Sequence, residues 1–301
     1  MLLPLIIYAI YATSFTMSKA ILSYVPPLLY VGTRISVAGV ILMCYAIYTH
    51  GFTRACATMW NNVWSFGKLM LVQTYIPYTL SFTALKHVTS VEASLVYNIS
   101  PCITAMLSYM LFHKRLHWIK IVGLVVSMSA LVPLFYNRIS NVYAGAGGNS
   151  KELMLLVIAV ASAAYGWIVF SDISSQSHCD ASLISSFSLL AGGICMLMTS
   201  SIFESWDITL GQSLGEVIAL FVMLIIAVDI IFTNVYGYLL AYYTTTFMAL
   251  LGITLPLFTS LFSWMFLQEH IPSGFVPSCL LMSVGLCCFY YGENTETLQT
   301  S

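Results

Sequence analysis

Apolar residues run along this chain for about twenty positions at a time, with polar and glycine-rich breaks between the runs. About 20 apolar residues in a helix are needed to cross about 30 Å of hydrocarbon. The pattern predicts ten such spans: 2–22, 28–48, 67–86, 90–112, 118–136, 152–173, 181–203, 216–241, 245–267 and 273–292. Strict apolar–polar alternation is lacking, and in lipid every backbone polar group must be paired within the structure. A barrel strand is therefore a poor reading, and an all-α membrane protein of ten transmembrane helices is expected. The stretch NRISNVYAGAGGNS is the natural seam between two groups of five.

The two groups share phrases. NISPCITAMLSYMLFHKRLH at 98–117 and GITLPLFTSLFSWMFLQEHI at 252–271 align at an offset of 155. Pro101 then meets Pro256, Thr104 meets Thr259, Ser108 meets Ser263 and Met110 meets Met265. Tyr11 and Gly39 meet Tyr165 and Gly193 at 154, and Tyr136 meets Tyr291 at 155. The expected organisation is a first five-helix repeat at 1–137, a linker at 138–150, a second repeat at 151–292 and a tail at 293–301. An odd number of spans per copy turns the second copy upside down, so the repeats are expected to be inverted. Lys114 and Arg115 close the first phrase, whereas Gln268, Glu269 and His270 close the second. Cytoplasmic loops favour Lys and Arg, so the first phrase is expected to end inside and the second outside. With both termini inside, Arg54, Lys68, Lys114, Arg115 and Lys120 fall on the cytoplasmic side, against Lys86, Arg138 and Lys151 outside.

Composition agrees with a lipid-facing exterior: 59% of the 301 residues are hydrophobic and 7% charged, against about a quarter charged in a soluble domain. A net charge of −1 gives no reason to expect a nucleic-acid partner. The start, MLLPLIIYAIYATSF, lacks a cationic n-region, so a cleaved signal peptide is not expected. Eight cysteines lie mostly within apolar runs without CxxC spacing and read as small buried hydrophobes. A phosphate-binding GxxxxGK[ST] loop and HExxH are both missing, and no metal or cofactor is expected.

Certain residues stand out against the apolar background. Pro101 and Pro256 would each kink a helix, freeing the carbonyls of Tyr97 and Gly252. Freed carbonyls at membrane depth persist only where protein or a hydrated cavity satisfies them, so both kinks are read as lining a pathway. A structural kink solvated by Ser and Thr hydroxyls is the plainer alternative. Asp229 lies deep in LFVMLIIAVDIIFTNVYGYLL, where an ionised carboxylate costs roughly 2.5–3.5 kcal/mol. With Thr233 and Tyr236 it forms one helical face, and 155 residues earlier Thr74, Tyr78 and Ser81 form another. Two walls of one cavity are expected, with Asp229 binding a cationic group or exchanging a proton. A hydrogen-bonded structural aspartate is the alternative. Arg34 is a candidate charge partner, for an acid or for a substrate carboxylate. Lys19 and Glu92 read equally well as snorkelling to the interface. Tyr11 and Ser14 of span 1, Tyr165 and Trp167 of span 6, and Tyr97 with Asn98 of span 4 complete the candidate set. Such aromatics are able to stack a planar or cationic ligand, although Tyr and Trp also populate interfacial belts.

The segment YATSFTMSKAILSYVPPLLYVGTRISVAGVIL, with Lys19, Pro26, Pro27 and Arg34, resembles the opening two spans of the EamA-type family of the drug/metabolite transporter superfamily. The proline phrases followed by VGLVVSMSALV and PSCLLMSVGLCCF resemble that family's paired signatures at spans 4–5 and 9–10. Two departures stand out. Lys114 occupies the place of a glutamate that the family carries at the end of span 4, and Ser188 is the second-half match of Arg34. The resemblance implies a secondary-active transporter, proton-coupled or an exchanger, working by alternating access. It also implies a bacterial inner membrane location. A buried acid among aromatics directs the expected substrate toward an amino acid or an amino-acid or nucleoside derivative such as S-adenosylmethionine. An exporter of hydrophobic drugs or lipid-like solutes is an alternative within the class. An intramembrane enzyme is the alternative from another class, and a receptor or scaffold a third. An enzyme would require paired acids or a nucleophile–base set at mid-depth, and no such set is visible.

Overall fold

A computed structural model describes residues 2–52, 59–60, 62–112, 118–129, 132–133, 150–177, 180–206, 208, 214–268 and 275–300. These residues form helices: α1 (Leu2–Ile21), α2 (Pro27–His50), α3 (63–85), α4 (Ser90–Tyr97 and Ser100–Phe112) and α5 (Trp118–Ser129). They continue with α6 (Ser150–Ser177), α7 (Ala181–Phe203), α8 (Leu214–Leu239), α9 (Thr245–Leu251 through Leu255–Leu267) and α10 (Phe275–Thr300). Pro27–His50, Lys151–Ser175, Ala181–Phe203, Leu214–Leu239 and Thr245–Phe266 are long and apolar enough to cross a membrane. Ser100–Leu111, Trp118–Ser129 and Val276–Gly292 are shorter apolar helices. The loop charges Arg54, Lys114, Arg115 and Arg138, together with Glu269, His270 and Tyr136, lie outside the described residues.

Two helix pairs approach at glycines. Gly39 of α2 faces Leu190 of α7 so closely that a Cβ would sit 2.5 Å from the Leu190 amide nitrogen. Gly32 faces Leu197, and Gly193 returns the contact against Ser36. As numbers rise along α2 they fall along α7, so the two helices run antiparallel. Gly123 of α5 meets Phe289 of α10, and Gly285 of α10 meets Ser127 of α5, again antiparallel. Gly39 and Gly193 are offset by 154, as Tyr11 and Tyr165 are. Gly123 and Gly285 are 162 apart, so these two glycines are not counterparts at an offset of 155.

Helix irregularities also recur in register. Met70–Tyr75 in α3 and Ile225–Phe232 in α8 are both wide π turns, starting 155 residues apart. The Ile76 amide bonds to the Leu71 carbonyl and the Thr233 amide to the Val228 carbonyl, five residues back. Pro77, just past the first, lacks the N–H that a regular turn would use; proline accounts for that turn only. α4 halts at Tyr97 and restarts at Ser100, while α9 passes through a 3₁₀ turn at Gly252–Thr254. Pro101 and Pro256 are therefore not mid-helix kinks. Each falls in the first turn of a restarted helix, where proline costs no hydrogen bond. The Gly252 carbonyl accepts the Leu255 amide within the 3₁₀ turn.

Candidate functional site

α2 begins and α7 ends at one extremity of the bundle, where the Glu204 carboxylate accepts the Leu28 and Leu29 amides at 3.0 Å each and the Ser200 hydroxyl at 2.7 Å. At the other extremity α2 ends and α7 begins, and His50 Nε2 lies 2.8 Å from Asp180 Oδ2. These are called the Glu204 end and the His50 end. Between the halves lies a cavity of about 850 Å³, its open mouth included.

Its wall is aromatic and hydroxylic. α1 supplies Tyr8 and Tyr11; α3 supplies Gln73, Thr74, Pro77 and Tyr78; α4 supplies Tyr97 and Ser100. α6 adds Val160, Ala163, Ala164 and Trp167, and α7 adds Ser185, Ser188 and Leu189. Phe232, Thr233 and Tyr236 come from α8, with Ala249, Gly252 and Leu255 from α9. Tyr11 stacks on Phe232 (centroids 4.4 Å, planes 12° apart), and Trp167 lies on Tyr236 at 4.1 Å. The Tyr8 hydroxyl donates to the Met248 carbonyl, anchoring α1 to α9. Tyr97 and Ser81 share a 2.9 Å bond between hydroxyls. Among the described residues, no Asp, Glu, Lys, Arg or His lines this wall.

On the Glu204 side of the cavity sits a buried charge cluster. Arg34 Nε is 2.9 Å from Asp229 Oδ2, and Nη2 donates to Oδ1 at 3.3 Å, with both side chains at 0% exposure. Nη1 donates to the Tyr30 hydroxyl at 2.8 Å and to Ser18 at 3.2 Å. The guanidinium carbon lies 5.4 Å from the Tyr30 ring centre and 5.2 Å from that of Phe82. Two carboxylate oxygens, two hydroxyls and two ring faces thus surround the guanidinium, as a buried charge needs.

The structure brings Tyr11, Thr74, Tyr78, Tyr97, Trp167, Thr233 and Tyr236 onto one wall, while Ser14, Asn98 and Asp229 are not on it. Asp229, expected to face a ligand, instead faces Arg34. Its long partner reaches across from α2, a contact invisible to helix periodicity. Ser14 borders a smaller cavity with Phe15, Ser81 and Phe82. Asn98 is fully buried in the break of α4, with neither end of its amide bonded among the described residues. Tyr165 packs its ring 4.8 Å from Lys68 Nζ, away from the wall. The Lys19 ammonium donates to the carbonyls of Leu85, Lys86 and Val88. Glu92 accepts from the Thr89 amide and hydroxyl at 2.8 Å, and the Glu92 amide returns a bond to that hydroxyl. That reciprocal pair is a capping box, legible in the sequence TSVE. Gln73, Ser100, Ser185 and Ser188 were missed. For the two α7 serines the signal was their three-residue spacing on one face.

Comparison with known proteins agrees with this architecture. Residues 1–136 match the EamA-like transporter family. An S-adenosylmethionine/S-adenosylhomocysteine transporter of Chlamydia muridarum is 26% identical over 94% of this chain and 89% of its own. A protein of the same description from Chlamydia trachomatis serovar L2 is 25% identical over 94% and 86%. A solved crystal structure superposes with a TM-score of 0.69 at 18% identity, covering 96% of this chain and 95% of that one, and so shares the fold. The chain is a multi-pass integral membrane protein of the transporter class. Over residues 1–136 the chain is thus similar to the EamA-like transporter family.

Proposed function

We propose that this chain carries an amino-acid-bearing nucleoside derivative, S-adenosylmethionine or a close analogue, across a bacterial inner membrane with both termini cytoplasmic. Ten spans form two inverted repeats of five, and rocking between them exposes one site to each side in turn. Antiparallel α2/α7 and α5/α10 crossings support that arrangement, as do the wide turns and helix breaks recurring in register. Exchange of one solute for another, or a proton gradient, drives net movement.

The observation that carries the reading is the cavity wall. Trp167, Tyr236, Tyr11 and Phe232 present ring faces for a purine and for a sulfonium, which an aromatic surface attracts as it does an ammonium. Thr74, Tyr78, Tyr97, Ser185, Ser188 and Thr233 supply hydroxyls for ribose and headgroup. Names of the chlamydial relatives point the same way. A hydrophobic-drug exporter fits less well, because more than half of the lining residues carry polar side-chain groups. The test is counterflow in proteoliposomes. Preloaded unlabelled S-adenosylmethionine is expected to draw in labelled S-adenosylmethionine faster than empty vesicles do. Equal rates would defeat the proposal.

A further inference from the structure

Arg34 and Asp229 each have a counterpart in the other half. Ser188 stands 154 residues after Arg34, and Thr74 stands 155 before Asp229. These counterparts touch as well, with the Thr74 and Ser188 hydroxyls 2.6 Å apart. α2 is thus fastened to α8, and α7 to α3, at equivalent points by different chemistry. The neutral pair lines the cavity, whereas the charged pair is sealed on the opposite side.

We propose that Arg34–Asp229 is the latch holding the Glu204 side shut, and that a zwitterionic headgroup, a carboxylate beside an ammonium, opens it by replacing each charge's partner. This rests on the transporter reading above. Two hydroxyls part at little cost, since water or a ligand satisfies both. Two buried charges part only if neither is stranded. A ligand carrying both countercharges meets that condition: its carboxylate takes the guanidinium fork and its ammonium takes Asp229. Such a ligand interacts differently with the latched and unlatched states, which is what shifting an equilibrium requires.

The pair lies one layer behind the wall. Thr233, one turn beyond Asp229, lines the cavity. So does Tyr78, whose ring stacks on Phe82, and Phe82 in turn covers Arg34. Repeat symmetry also names the route that unlatching exposes. The counterparts of wall residues Ser185, Tyr236 and Ala249 are Val31, Ser81 and Ser94, all buried in this state.

The test places a thiol at Ser94→Cys and follows maleimide labelling of that position by peptide mass spectrometry, on full-length protein in detergent. S-adenosylmethionine is expected to raise the labelling rate on the order of tenfold. 5′-Methylthioadenosine, which keeps the nucleoside thioether but lacks the headgroup, should leave it unchanged. Combining Arg34→Ser with Asp229→Thr, which copies the other half, is expected to give fast labelling with no ligand. Equal acceleration by both compounds, or slow labelling in a folded double variant, overturns the latch. If the double variant does not fold, Arg34→Lys keeps the charge without the fork. It should label faster than the parent, and an unchanged rate overturns the proposal equally. Should S-adenosylmethionine fail to raise the thermal stability of the parent protein, the substrate reading falls, while ligand-free labelling of the variants still decides the latch.

Discussion

Asp229 Oδ2 lies 2.9 Å from Arg34 Nε, and neither side chain is reached by solvent. Removing one partner of a buried ion pair strands the other, at a cost of about 3–5 kcal/mol, whereas replacing both by apolar groups is often neutral. Arg34→Ala is therefore expected to lower the thermal unfolding midpoint sharply, while Arg34→Met with Asp229→Leu recovers most of the loss. Fluorescence-monitored unfolding in detergent measures both. A double variant no better than Arg34→Ala would count against the charge argument.

Gly39 is fixed by the backbone of its neighbour. A methyl group there would press on the Leu190 amide nitrogen and Cα, which cannot rotate away as a side-chain tip would. Gly39→Ala should cost about 1–3 kcal/mol, as overpacking does. Gly67→Ala, in open space within a helix, should be neutral or slightly stabilising. Size-exclusion profiles and unfolding midpoints of the two variants make the comparison.

Trp167 rests on Tyr236 inside the cavity, whereas Trp60 is 82% exposed. Losing a stacking ring forfeits about 0.5–1.5 kcal/mol beyond its buried area. Trp167→Ala is expected to weaken S-adenosylmethionine binding about tenfold or more by titration calorimetry. Trp60→Ala should leave it unchanged, and equal loss in both would remove the aromatic wall from the recognition argument.

Glu204 caps the first amides of α2, a helix that its own proline-rich start leaves without a side-chain cap. Glu204→Ala should destabilise by about 1 kcal/mol, in the range for a lost cap. Glu204→Gln retains one acceptor oxygen and should lose less. Hydrogen exchange at Leu28 and Leu29 reports the effect directly, because those amides become unprotected.

The class of fold was legible because apolar runs long enough for lipid are hard to mistake, and because Pro101 and Pro256 repeat at one interval. Candidate wall positions such as Thr74, Tyr78, Thr233 and Tyr236 followed from helical periodicity, which places residues three and four apart on one face. Two things escaped. Helix breaks were read as kinks, because a proline in an apolar run does not reveal whether the chain resets before it. Arg34 was read as a partner for an unnamed acid or a substrate carboxylate and not tied to Asp229, because 195 residues separate them and only packing brings them together. Ser185 and Ser188 were passed over since single hydroxyls among apolar residues carry little signal until a cavity gathers them.

The wide turns in α3 and α8 have a consequence for how this protein tolerates change. A π turn holds an added residue, and removing it would restore ordinary winding and swing everything downstream by about 100°. In α3 that rotation would carry Pro77 and Tyr78 out of line with Gln73 and Thr74, although no side chain had been altered. Insertions and deletions in these two helices are thus far more damaging than replacements. Spacing, as much as composition, is what the lineage must preserve there.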